Sequence, residues 1–286
     1  MLPTSMERPF FAYGIFQPGQ LAYFQLGDSV AGWQRVQLPG ALLIRDGLPI
    51  ADLRKNGTVA GAVLTFKPGD SEHVYRRIGA MEPRKHYRWD VVTIAGAEIN
   101  LLVGRSPAKG SVPFGKAEWD GWDDPLLTTA LEVVEETLDE PGVFAWDLKP
   151  LFRLQMAYLL LWSSIERYVS LRYHLGGIAK VNRLATEQAF GRSLRQHVEG
   201  QRWVFRSDEP TKRVALDPGQ PAEAVRYYYQ VRCNITHRGK AAVVDHATVR
   251  RSLAELLAIF RDVLRAARSD AVELAERGSG ARKCNS

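Results

Sequence analysis

The sequence predicts an α+β chain of two domains: a small mixed β-barrel followed by an all-α helical bundle. Three observations carry this. The chain has 286 residues, and at roughly 100–200 residues per domain two domains are the natural division. Short apolar runs bounded by turn residues fill the first hundred positions, whereas helical apolar periodicity takes over after Pro150. Charge follows the same divide: residues 150–286 carry 23 basic and 13 acidic side chains, and residues 121–149 carry one basic and eight acidic. The expected boundaries are 1–117 for the first domain, 118–148 for an acidic connection or first helix, 149–277 for the helical domain and 278–286 for a flexible tail.

The first strand is FFAYGIF (10–16), aromatic and β-branched, and stopped by Pro18-Gly19. VQLPGALLI (36–44) runs to the turn Asp46-Gly47. Asn56-Gly57 introduces TVAGAVLTF (58–66), which Pro68-Gly69-Asp70 closes. Residues 70–80 read as one short helix, with Asp70 or Ser71 as N-cap. YRWDVVTI (87–94) and EINLLVG (98–104) complete the set.

Further on, Asp123-Asp124-Pro125 marks a helix start, with Leu127, Leu131, Val134 and Leu138 along one stripe. Leu151, Leu154, Tyr158, Leu159, Trp162, Ile165 and Val169 form an apolar face that lasts to Gly176-Gly177. A shorter helix is expected near 185–198 and a loop over 200–220. Two more helices follow, one from Pro221 to about Gly239 and one from His246 to about Arg277. Long helices joined by modest loops imply a bundle.

Tyr13-Gly14-Ile15-Phe16, then Pro39-Gly40-Ala41-Leu42, Asp46-Gly47-Leu48-Pro49 and Val59-Ala60-Gly61-Ala62 stand in an order that resembles the gamma-glutamylcyclotransferase-like fold. Glu82, five residues before Tyr87 in the strand Tyr87–Ile94, extends the resemblance over roughly residues 8–105. The resemblance implies a turn, Tyr13 to Phe16, whose backbone N–H groups hold an anionic group, with Tyr87 beside it. It implies Glu82 as the carboxyl that moves a proton while a substrate amine attacks a side-chain amide, giving 5-oxoproline. Ile15 stands where the family has a small hydroxyl residue, and Trp89 where its strand has Arg. Both make the site more apolar.

The string YYYQVRCNITHRGK (227–240) places Arg232, Asn234 and His237 late on one helix. At 100° per residue, Asn234 and His237 lie about 60° apart and Arg232 and His237 about 140° apart. A long arginine can bend back across that angle near a helix end. Imidazole, amide and guanidinium suit metal-free RNA cleavage, with His237 acting on the 2′-OH and Arg232 on the phosphoryl oxygens. With the helix 159–173 before it and a long amphipathic helix after it, the motif resembles that of HEPN domains, over roughly residues 124–275. That resemblance implies a helical bundle that homodimerises and acts as a ribonuclease in microbial defence or toxin systems. Cys233 replaces the polar residue that follows the arginine in many active members.

The sequence has no Walker loop, no G-x-G-x-x-G and no His/Cys/Asp grouping at metal-ligand spacing, so neither metal nor cofactor is expected. With two cysteines a disulfide framework is excluded as an organising principle. The start MLPTSMERPF has no charged-then-apolar signal pattern, and the longest apolar stretch, Met156 to Trp162, is far shorter than a membrane span; a cytoplasmic protein is expected. The leading expectation is an endoribonuclease or RNA-binding effector whose first domain senses a small gamma-glutamyl-like or other anionic ligand. The alternative is a gamma-glutamylcyclotransferase-like enzyme dimerised by an inert helical domain. A third is an interaction protein with neither site working.

Overall fold

A computed structural model describes residues 2–140, 148–206, 208–209, 211–238 and 243–280, and excludes the side chains of 237–238, 243–245 and 279–280. The fold is α+β, with mixed sheets and, among the described residues, seven α-helices. The chain divides into two compact units, Met1–Asp124 with Arg268–Ser286, and Pro125–Ala267. Among the described residues no helix is long and apolar enough to cross a membrane.

In the first unit the strands are β1 (Phe10–Ala12), β2 (Val30–Pro39), β3 (Ala41–Arg45), β4 (Leu48–Asp52), β5 (Thr58–Phe66), β6 (Tyr87–Ile94), β7 (Ala97–Gly104) and β8 (Val112–Pro113), with helix α1 (Ser71–Met81) between β5 and β6. Five strands form one sheet in the order β2-β5-β1-β7-β6, with β1 and β7 parallel and the other pairs antiparallel. A second sheet has the order β4-β3-β8. The expected barrel is therefore corrected to two open sheets: among the described residues β2 and β6 end the larger sheet and do not pair with each other.

The physical reason lies at Gly40. Its φ of +142° breaks the run 36–44, so that β2 stays in the larger sheet and β3 passes to the smaller one. The run 10–16 also shortens, because only Phe10–Ala12 pair and the chain turns from Tyr13 onward. β4 is an edge strand, as its internal Pro49 requires, since proline cannot donate to a ladder. Phe10 and Tyr75 of the core meet each other and the half-buried Trp89 edge to face at 5.4–6.3 Å. α1 buries Val74, Tyr75, Ile78 and Met81, one helical stripe.

The second unit holds α2 (Thr128–Asp139), α3 (Leu148–Tyr173), α4 (Ile178–Ala185), α5 (Gln188–His197), β9 (Arg202–Phe205), β10 (Arg213–Leu216), α6 (Pro221–Arg238) and the part of α7 (Val243–Gly280) before Arg268. The helix expected near 185–198 is α5, and a further short helix that was not expected, α4, precedes it. The loop expected over 200–220 contains an antiparallel hairpin, with Trp203 opposite Ala215 and Phe205 opposite Arg213. Strands of four residues are too short for an apolar alternation to be read. The core packs Trp162 and Tyr168 of α3, Tyr228 of α6 and Phe260 of α7, all essentially without exposure.

Candidate functional site

Two features fix the position of Glu82. α1 ends at Met81, and Pro83 disfavours helical backbone at the residue before it, so Glu82 adopts an extended conformation (φ −89°, ψ 128°). The Glu82 N–H still donates to the Ile78 carbonyl at 3.0 Å, which anchors it to the last helical turn. From there Glu82 borders a small pocket, with room of about 30 Å³, together with Tyr13, Gly14, Ile15, Phe16 and Tyr87. Six residues drawn from three separate stretches of sequence thus meet at one place.

The rest of the wall is apolar: Phe10, Ala12, Leu48, Pro49 and Leu102. Burial in that setting pushes the Glu82 carboxyl from an ordinary 4.5 up to about 7. Among the described residues no group donates a hydrogen bond to it. A carboxyl that titrates near neutrality can both accept and return a proton.

The two tyrosines serve a different purpose. The Tyr13 hydroxyl donates to the Leu102 carbonyl at 2.6 Å and accepts from the Ala51 N–H at 3.3 Å, joining the end of β1 to β7 and β4. Burial holds its phenol well above the ordinary value, with the backbone hydrogen bond from Ala51 opposing and the nearby Glu82 charge adding to the rise. The Tyr87 hydroxyl donates to the Pro49 carbonyl at 2.8 Å and fixes the opposite wall. Both phenols are framework. The carbonyls of Gly14 and Ile15 accept from Gln17 and Ala22, which shapes the turn along the pocket's edge. A Cβ at Gly14 would stand 3.2 Å from Pro49 Cγ, so the glycine keeps the pocket open there. Trp89 lies outside the pocket, packed on Phe10 and Tyr75.

In the second unit, α6 carries Arg232, Asn234 and the backbone of His237; the His237 side chain lies outside the described residues. The Arg232 guanidinium sits over the Tyr229 ring at 5.6 Å, and no carboxylate pairs with it among the described residues. The Asn234 amide donates to the Phe205 carbonyl at 2.8 Å and accepts from Gln230 at 2.8 Å, so it ties α6 to β9. Burial pushes the Cys233 thiol up, while Arg232 opposes the rise, which disfavours a thiolate at neutral pH.

Sequence reasoning missed a charged network in this unit. Glu255 of α7, 9% exposed, accepts from Arg202, from Arg251 Nε at 3.1 Å and from the Tyr228 hydroxyl at 3.0 Å. Its members come from β9, α6 and α7, and no local spacing links them. Comparison with protein-family models, with curated proteins and with solved structures finds no match to this chain.

Proposed function

We propose that the first unit is an acid–base site of the gamma-glutamylcyclotransferase type, acting on a small gamma-glutamyl amide. The observation that carries the reading is the unpartnered Glu82 carboxyl, raised to about 7, facing an apolar pocket edged by the Gly14 turn. As carboxylate, Glu82 takes a proton from the substrate's attacking amine. The nitrogen forms a bond to the side-chain carbonyl carbon, the original C–N bond breaks, and Glu82 returns the proton to the departing amine. The products are 5-oxoproline and a free amine. Backbone N–H groups of the Tyr13–Phe16 turn would hold the substrate's carboxylate. Ile15 and Phe16 narrow the pocket, which favours small substrates. The test is to incubate the purified full chain with gamma-glutamyl dipeptides and to quantify 5-oxoproline. Release by the wild type and its loss in Glu82→Gln are expected; a wild type no better than buffer ends this reading.

A second reading concerns the helical unit, as a HEPN-like bundle that cleaves RNA without metal. It is favoured by Arg232, a cation that no carboxylate neutralises among the described residues and that shares α6 with His237. Arg232 would stabilise charge on the phosphoryl oxygens and His237 would deprotonate the 2′-OH, giving 2′,3′-cyclic phosphate and 5′-OH ends. Because Asn234 is held by Phe205 and Gln230, its role in this reading is to position α6. Total RNA incubated in EDTA should be cut by wild type and spared by His237→Ala; identical profiles would remove the reading.

A further inference from the structure

We infer that the outward face of the β9–β10 hairpin is a stacking platform for single-stranded RNA. Alternation along β9 turns Arg202 and Val204 inward, and the Arg202 Nε donates to the Tyr227 hydroxyl at 3.3 Å. The same alternation leaves Trp203 53% exposed and Phe205 55% exposed, side by side on the other face. Two large aromatic rings on one small solvent-facing surface are unusual when nothing covers them.

Arg213 and Ala215 of β10 share that face, standing opposite Phe205 and Trp203. The Arg213 guanidinium lies over the Trp203 ring at 4.8 Å. The acids near the hairpin turn do not neutralise it: Asp208 is bound by Arg206 at 2.6 Å, and Glu209 by Lys212 at 2.5 Å. Among the described residues, the face therefore presents two π surfaces and one cation without a carboxylate partner, with no acid upon it. Nucleobases offer a π face whatever their sequence, and the phosphate between two stacked bases calls for such a cation. Small Ala215 leaves the approach to Trp203 open. The Asn234 bond to the Phe205 carbonyl sets this face beside the turn of α6 that carries Arg232.

The inference deepens the second reading and rests on it for the choice of RNA, but it is measured by binding and not by cleavage. The experiment uses the full chain carrying His237→Ala, so that cleavage cannot consume the probe, and a single-stranded RNA of about a dozen nucleotides. Saturable quenching of tryptophan fluorescence is expected. Trp203→Ala and Phe205→Ala should each weaken binding, read by anisotropy of a labelled probe, by about tenfold or more. Arg213→Ala should weaken it less and lower the salt slope by about one. A perfect duplex of the same sequence, whose bases are already stacked, should bind more weakly. Because these side chains are exposed, an unchanged thermal midpoint will show that the variants fold. Equal affinity in parent, Trp203→Ala and Phe205→Ala would overturn the proposal. So would a fall in mass from dimer to monomer in Trp203→Ala, which would assign the face to a second copy of the chain. Binding can fail while EDTA-resistant cleavage stands, and the reverse, so the two failures are distinguishable.

Discussion

Glu82 and Glu255 are both carboxyls withdrawn from water, and they meet opposite fates. Glu255 lies in the core of the second unit and is surrounded by donors: Arg202, Arg251 and the Tyr228 hydroxyl. Its charge is satisfied where it stands, and every partner holds it in place. Glu82 is half-buried against an apolar wall and has no donor among the described residues, so its charged form is the costly one and its pKa climbs to about 7. A buried acid with partners is committed to structure. A buried acid without them is left free to carry a proton.

The largest expected effect breaks the Glu82 side of this comparison. Glu82→Gln keeps the shape of the side chain and removes the titrating group, so 5-oxoproline release should fall by about 10²–10⁴-fold. In the wild type the rate should rise as pH passes through about 7, because the attacking amine needs the ionised form. Stability moves the other way. The folded state holds its proton more tightly than the unfolded chain, so the contribution of Glu82 is full below about 4.5 and is lost as pH rises through about 7. Glu82→Gln should therefore be more stable than wild type at pH 8, by at most about 3 kcal/mol, and equal to it at pH 4. Urea unfolding at the two pH values reads the difference; a variant less stable at pH 8 would mean that hidden donors hold the carboxylate.

Glu255→Ala tests the other side. It strands Arg202, whose side chain is 19% exposed, without its carboxylate. Leaving one member of a buried pair uncompensated costs about 3–5 kcal/mol. Urea denaturation should show that loss for Glu255→Ala at pH 8, the pH at which Glu82→Gln gains. A loss under about 1 kcal/mol would place Glu255 among ordinary surface ion pairs and undo the contrast.

This contrast also marks what the sequence could disclose. Glu82 was legible because its neighbours in space are encoded by short blocks: the Tyr13-Gly14 turn, Leu48-Pro49, and a carboxyl just before Pro83 and β6. Pro83 sets the backbone locally, and local effects can be read along a chain. The long helical stripe of α3 was legible for the same reason. Glu255 was not, because Arg202 sits 53 positions away on a strand too short to announce itself. The open sheets escaped too. The run 36–44 reads as continuous through Gly40, and where the chain goes after that glycine depends on pairings among distant strands. Pro49 hid β4 within a run that the eye reads as a loop.

A smaller effect narrows the pocket without touching the acid. In Gly14→Ala the added methyl would press on Pro49 Cγ at 3.2 Å, across the pocket edge from Glu82. The stability cost should be about 1 kcal/mol. Turnover should drop by KM more than by kcat, because proton transfer is intact and room for the substrate is lost. An unchanged KM for the same dipeptide would show that substrate does not enter beside this turn.

The smallest effect comes from a carboxyl between the two extremes. Asp262 of α7 accepts from the Ser193 hydroxyl at 2.7 Å, faces His197 Nε2 at 3.0 Å and pairs with Arg265 at 2.8 Å. Ser193 and His197 lie one turn apart on α5, so a single carboxylate clips that short helix to α7. It resembles Glu255 in having donors, yet it keeps some exposure, and solvent weakens each contact. The Ser193 hydrogen bond is the largest influence on its carboxyl; burial opposes it, and His197 and Arg265 add to it, so that the group is held below the ordinary 3.8. The sign is therefore the reverse of that at Glu82: its stabilisation is present above about 4 and is lost as pH falls through the lowered folded value. Asp262→Asn should cost about 1 kcal/mol at pH 7. That cost should shrink as pH drops below 4, where wild type loses the same charge. Unfolding curves for both proteins from pH 7 to pH 3 decide the point, since a gap that stayed constant across that range would mean that shape, not charge, holds α5 to α7.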